Sequence, residues 1–173
     1  MRILAAIGAL AIVLGLLAGA YFFGGFYNVA AAVDEPGAVN WALTKIRLAS
    51  IAHHNVENAK APFALDDMSV IREGAHQFAN SGCVHCHGGP GAKWSKFSEG
   101  INPGPPDLKD IANERSASEI FWVVKNGIRM TGMPSFSKVG LADDQLWQIT
   151  AFVKAIPKVS EADYRTWTTA PTQ

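Results

Sequence analysis

The residues best able to do chemistry sit together in one pentapeptide, Cys83-Val84-His85-Cys86-His87. These are the only two cysteines in the chain. A structural disulfide framework needs more cysteines, set further apart. Three chemistries remain open to a pair at this spacing: a redox dithiol, half of a zinc site, or covalent attachment of a porphyrin. A redox dithiol belongs in a thioredoxin-like α/β setting, and no segment here alternates with the period of a strand over useful length. Zinc needs a second ligand pair, and the spacing of His53, His54 and His76 does not supply one. The histidine directly after the second cysteine fits the third chemistry. Two thiols at this spacing can reach the vinyl groups along one edge of a haem, and His87 can then present Nε2 to the iron.

A haem held in this way needs a second axial ligand. Met68, Met130 and Met133 lie outside the apolar N-terminus. Met68 precedes the cysteines and is poorly placed for the far haem face. Met130 and Met133 share the stretch Asn126-Gly127-Ile128-Arg129-Met130-Thr131-Gly132-Met133-Pro134. Gly132 permits close backbone approach and Pro134 stiffens the loop, which favours Met133, with Met130 packing at the haem edge or in the core. A thioether ligand raises the reduction potential relative to two histidines, and it leaves no open iron position for a substrate. The expectation is therefore electron transfer rather than catalysis. Trp122 and Arg129 have two readings each: hydrogen bonding or pairing with haem propionates, or core packing for the one and a solvated charge for the other. His85 reads as an exposed spacer. His53 and His54 are rival iron ligands, but they fall outside the helical pattern of the domain. Lys93, Lys96, Lys125, Arg129 and Lys138 either ring the haem edge and steer an acidic partner or simply solvate the surface.

Helices must position these groups. Asp66 or Asp67 can cap a first helix. Ile71, Gly74, Ala75 and Phe78 follow at helical spacing, and Gly82 ends it. Ser116-Ala117-Ser118-Glu119 fits a capping box. Its apolar run from Ile120 to Val124 stops at Asn126-Gly127. Asp143 and Asp144 suit a third helix N-terminus, with a stripe of Leu146, Ile149, Phe152, Val153 and Ile156 running to Pro157. The fold class is all-α. Residues 88 to 115 are rich in Gly and Pro and poor in apolar mass, and a domain this small has a thin core. A buried haem would supply the missing apolar surface, so the composition asks for a cofactor independently of the motif.

The chain has 173 residues and zero formal net charge, with no Lys/Arg-rich run, which argues against nucleic acid as a partner. After Arg2 no charge appears until Asp34. Ile3 to Phe23 as a helix would span about 31 Å, the hydrocarbon thickness of a bilayer. Arg2 precedes the apolar run and Asp34-Glu35 follow it, which places the N-terminus in the cytoplasm and the remainder outside. A cleaved signal peptide is the rival reading, with Ala18-Gly19-Ala20 as its site. The aromatics Tyr21, Phe22, Phe23, Phe26 and Tyr27 beyond that site favour an uncleaved anchor. Residues 1–33 are thus read as the anchor and 34–65 as a helical connector. In the connector Val39, Leu43, Ile46 and Ala49/Ser50 share one face, suited to a membrane surface or to a plain spacer. Residues 66–158 are read as the haem domain and 159–173 as a C-terminal tail.

Residues 66 to 157 resemble a class I mono-haem cytochrome c. The likeness rests on Gly74-x-x-x-Phe78, Cys83-x-x-Cys86-His87, Pro106-Asp107-Leu108, Met133-Pro134 and Ile149-x-x-Phe152. It implies that the first and last helices of the domain cross where Gly74 meets Phe152, beside Phe78 and Ile149. It also implies that the Pro106 carbonyl accepts from Nδ1–H of His87 and that Leu108 packs on the ring. With Tyr27-Asn28-Val29-Ala30-Ala31 and the Met130–Pro134 stretch, the chain further resembles bacterial cytochromes with a single N-terminal transmembrane helix. Residues 37 to 62 and those after 158 lie outside the likeness. Ala142 departs from the Ser or Thr cap usual before the last helix.

These readings make the chain an electron carrier with one haem c, tethered to the cytoplasmic membrane with its haem domain on the periplasmic side. A tether raises the effective concentration of the domain near membrane partners. Candidate partners are a dehydrogenase, a quinol-oxidising complex or a terminal oxidase, and the chain may be read equally as a fixed subunit of one. The rival from another class is a haem with a displaceable sixth ligand, used for small-ligand binding, sensing or peroxide chemistry. A third reading, a membrane adaptor without haem, leaves the cysteine motif unexplained.

Overall fold

The computed structural model describes residues 1–55 and 60–169, and the chain divides into two compact units, Met1–Asp34 and Glu35–Gln173. The first unit is built on α1 (Arg2–Phe23), none of whose residues is buried. A helix apolar all round suits a protein interior or a bilayer. α1 is long and apolar enough to cross a membrane, and a signal sequence near the N-terminus would have the same features. Its C-terminal end is knotted by aromatics: Tyr21, Phe22 and Tyr27 have ring centroids 5.1 to 6.2 Å apart.

The second unit is all-α, with no β-strand among the described residues. Its helices are α2 (Gly37–His54), α3 (Met68–Asn80), α4 (Cys83–His87), α5 (Leu108–Glu114), α6 (Ala117–Asn126), α7 (Asp143–Ala155) and α8 (Glu161–Thr169). Local chemistry sets most of the boundaries. The Asp67 carboxylate accepts from the Ser69 amide at 2.7 Å and starts α3. Ser116 and Glu119 form a reciprocal capping box on α6, which ends at Gly127 with φ 69°. α7 starts at Ala142, which has no side-chain oxygen to offer; Gln145 Oε1 accepts from the Ala142 amide at 2.9 Å and supplies half of that box.

The crossing of α3 and α7 organises the core. Gly74 lets the two backbones touch: a Cβ there would overlap the Gln148 carbonyl and approach Phe152 Cβ to 3.0 Å. Phe78 and Phe152 pack with ring centroids 5.2 Å apart beside this point. Phe121 stacks on Trp147 at 4.1 Å, which joins α6 to α7. Burying these rings, with Leu146 and Ile149, is the main favourable term in so small a core.

Two elements extend the sequence reading. The segment set apart as a tail contains α8, where Tyr164 is buried and stacks on Phe152 at 5.5 Å. The Gly/Pro-rich stretch contains α5, capped by the Asp107 carboxylate on the Lys109 amide at 2.7 Å. Lys154 of α7 closes the far end of α5. Its ammonium donates to the Ala112 and Arg115 carbonyls, the latter at 3.0 Å. Lys154→Met keeps the stem and removes both bonds. It is expected to destabilise the unit by about 2 kcal/mol, seen as a lower midpoint in thermal denaturation. The packed side of α2 carries Ile51, and Asn55, just past its end, accepts at Oδ1 from the Ser118 hydroxyl at 3.0 Å. Leu43 and Ile46 stay exposed.

Candidate functional site: the cysteine-histidine helix and its two loops

Cys83, Cys86 and His87 all lie on α4, a helix of five residues. Gly82, in the left-handed region at φ 83°, turns the chain from α3 into it, and Gly88 at φ 67° turns the chain out. Both positions need a residue without a Cβ. Neither cysteine is in a disulfide. Burial pushes the Cys83 thiol up to about 12, with Cys86 adding a smaller push in the same direction. A redox dithiol needs an accessible thiol pulled down towards neutrality. For Cys83 the shift runs the other way, which argues against that reading.

His87 Nδ1 lies 3.2 Å from the Pro106 carbonyl oxygen. A carbonyl can only accept, so Nδ1 carries the proton and the neutral ring keeps its lone pair on Nε2. Burial pulls His87 below the ordinary histidine value and so favours the neutral ring; the Pro106 bond opposes this more weakly. A neutral imidazole with Nδ1–H tied to a carbonyl and Nε2 free is a metal ligand in waiting.

The two flanking loops are fastened to this frame. The first leaves α4 through a tight Gly89–Ala92 turn. It is then pinned by the Ser95 amide on the His85 carbonyl at 2.8 Å. His85 Nδ1 and Ser95 Oγ lie 3.1 Å apart, so the residue read as a spacer also holds the loop. The second loop carries Met133, half-buried against the core, as is Leu108. Met130 is 88 % exposed. The loops meet where a Cβ on Gly132 would come within 2.9 Å of the Ile101 side chain.

Other residues singled out by the sequence are placed elsewhere. Trp122 is half-buried, with its ring 5.9 Å from that of His54. His54 Nδ1 is 2.8 Å from the Ser50 carbonyl within its own helix. Lys125 is engaged rather than displayed: it pairs with Asp143 at 2.8 Å and lies over the Phe121 ring. Lys93, Lys96, Arg129 and Lys138 are exposed. Sequence reasoning missed Tyr164, whose hydroxyl is buried with no hydrogen-bond partner and whose ring lies where a Gly89 Cβ would come within 3.0 Å. Burial pushes this phenol up to about 12, with the Cys83 sulfur as the smaller cause.

The donor set fits a haem c: two unpaired thiols and a neutral, oriented imidazole on one short helix, with a half-buried thioether on a loop that touches the opposite one. Comparison with known proteins agrees at this level. Residues 69–153, just under half of the chain, match the family model described as "Cytochrome C oxidase, cbb3-type, subunit III". The match supports a cytochrome c haem domain over these residues, and with it covalently bound haem c and haem-based electron transfer. No curated protein and no solved structure matches the chain.

Proposed function

We propose that the chain is a membrane-tethered mono-haem cytochrome that passes electrons one at a time on the periplasmic side of the cytoplasmic membrane. When bound, the haem supplies an iron that takes up and returns a single electron. Cys83 and Cys86 would hold it through two thioethers, and His87 and Met133 would hold its iron. Pro106 orients His87, and Leu108 would pack against the ring. The observation that carries this reading is the hydrogen bond from His87 to Pro106, because it fixes the tautomer that leaves Nε2 for a metal on the same helix as both thiols. α1 serves as the uncleaved anchor within residues 1–33, residues 34–65 connect, and residues 66–158 form the haem domain ahead of the 159–173 tail. Among a dehydrogenase, a quinol-oxidising complex and a terminal oxidase, the description of the matched family favours a terminal oxidase, with this chain as its electron donor or as a fixed subunit.

The detergent-solubilised protein, reduced with dithionite, is expected to give a sharp c-type spectrum that carbon monoxide leaves unchanged. The haem is expected to stay with the polypeptide on a denaturing gel. A spectrum that shifts with carbon monoxide would bring forward ligand binding, sensing or peroxide chemistry. Absence of visible absorbance would sink the proposal.

A further inference from the structure

We propose that Thr131 is the positioning residue that holds Met133 against the iron, by fastening the Met133 backbone through a hydroxyl acting as donor and acceptor at once. The proposal rests on the reading of Met133 as the sixth ligand. Thr131 Oγ1 donates to the Ile128 carbonyl at 2.8 Å and accepts from the Met133 amide at 3.1 Å. The Ile128 amide donates to the Met133 carbonyl at 3.1 Å. Both backbone polar groups of Met133 are therefore engaged, and Pro134 fixes the next φ. The loop closes on itself between Ile128 and Met133 with Met130 at its apex. Met130 has φ 59°, the only left-handed residue other than glycine among those described. A long side chain in that region is strained, so the loop needs an opposing hold.

That hold is anchored at the end of α6. Gly127, at φ 69°, seats the following strand of chain so closely that a Cβ would come within 2.8 Å of the Met133 carbonyl oxygen and 2.7 Å of the Ser135 nitrogen. The Ser135 and Ser137 hydroxyls both donate to the Lys125 carbonyl, at 2.8 and 2.9 Å. The Phe136 amide donates to the Val124 carbonyl at 3.2 Å. The loop is thus clamped on its far side by α6, while among the described residues the only side chain that hydrogen-bonds the Met133 backbone is Thr131. Valine has the shape of threonine and neither hydrogen-bonding function; serine keeps both. With valine at 131 the loop is free to relax, and the fraction of time the thioether is off the iron rises.

The test uses full-length, haem-loaded protein in detergent: wild type, Thr131→Val, Thr131→Ser and Met133→Leu. One readout is the weak far-red charge-transfer band from thioether to ferric iron; the other is carbon monoxide binding by the reduced form. Thr131→Val is expected to weaken the band and to raise apparent carbon monoxide affinity about tenfold, as the loss of two modest hydrogen bonds implies. Thr131→Ser is expected to behave as wild type. A Thr131→Val protein identical to wild type, beside a Met133→Leu protein that has lost the band, overturns the clamp alone. A band that survives in Met133→Leu overturns the ligand assignment and the clamp with it. Should Thr131→Val fail to load haem, amide exchange in the reduced wild type decides. Met133 N–H is expected to exchange at least about tenfold more slowly than the neighbouring Gly132 N–H, and equal rates overturn the clamp.

Discussion

Gly74→Ala is expected to prevent the haem domain from accumulating in folded form. The added Cβ would fall on the backbone of α7, overlapping the Gln148 carbonyl oxygen and lying 2.6 Å from its carbon. A flexible side-chain tip can swing aside, but a helix backbone cannot move without carrying its neighbours. Here those are Phe152, Ile149 and Leu146, all almost wholly buried. Separating α3 from α7 therefore opens the centre of the core, at about 4 kcal/mol or more. Small domains are stable by only about 5–15 kcal/mol in total. The control is Gly100→Ala, where a Cβ meets nothing within 4 Å; it is expected to change stability by less than about 0.5 kcal/mol. Haem-stained yield from membranes, followed by thermal denaturation of whatever is recovered, separates the two. Equal yields and midpoints would mean that the helices do not touch at Gly74.

Met133→Leu is expected to turn a closed iron into an open one, while Met130→Leu leaves it closed. Leucine keeps the apolar bulk at 133 and removes the sulfur, so packing against the core is largely retained. The reduced variant should then bind carbon monoxide, and its reduction potential should fall with the loss of the thioether. With Met133 as the sixth ligand, ligand entry in the wild type would be limited to the time the sulfur is off the iron. If that is about one per cent, removing the sulfur strengthens apparent carbon monoxide affinity about a hundredfold. Met130 is the matched control because it shares the loop and is 88 % exposed. Equal behaviour of the two variants, titrated side by side, would remove Met133 from the iron.

The sequence carried the parts of this molecule that local chemistry decides. Asp67, the Ser116–Glu119 box and the Asp143-Asp144 start of α7 were readable because a helix end needs particular side chains whatever its surroundings. The packing of Gly74 on Phe152 and the Pro106 carbonyl beside His87 came from the family likeness, and the geometry contains both contacts. Harder to see were elements whose signal is short or tertiary. α5 has seven residues inside a Gly/Pro-rich stretch, and only Asp107 announces it. α8 is mostly polar, with Tyr164 as its one buried residue; its start is marked by Ser160, whose hydroxyl accepts from the Asp163 amide at 3.1 Å. Lys154 gave no sign of its role, since the carbonyls it serves lie about 40 residues earlier and are brought to it only by the fold. The packed side of α2 was likewise hidden, since Ile51 lies outside the stripe of Val39, Leu43, Ile46 and Ala49/Ser50, and Asn55 meets Ser118 only in the fold.

The contact between Gly74 and Phe152 also closes a loop of chain about 80 residues long. The entropy lost in closing such a loop grows only with the logarithm of its length, so even doubling it would add about 0.6 kcal/mol. Lengthening or trimming the surface turns between the two helices therefore barely affects the closure, provided the pinned residues keep their partners. The exposed residues 138–140 can change in number at little thermodynamic penalty to that closure, whereas the crossing tolerates not even a methyl group. One molecule thus divides into a fixed hinge point and an adjustable outline, and the outline is where a change of redox partner would be written.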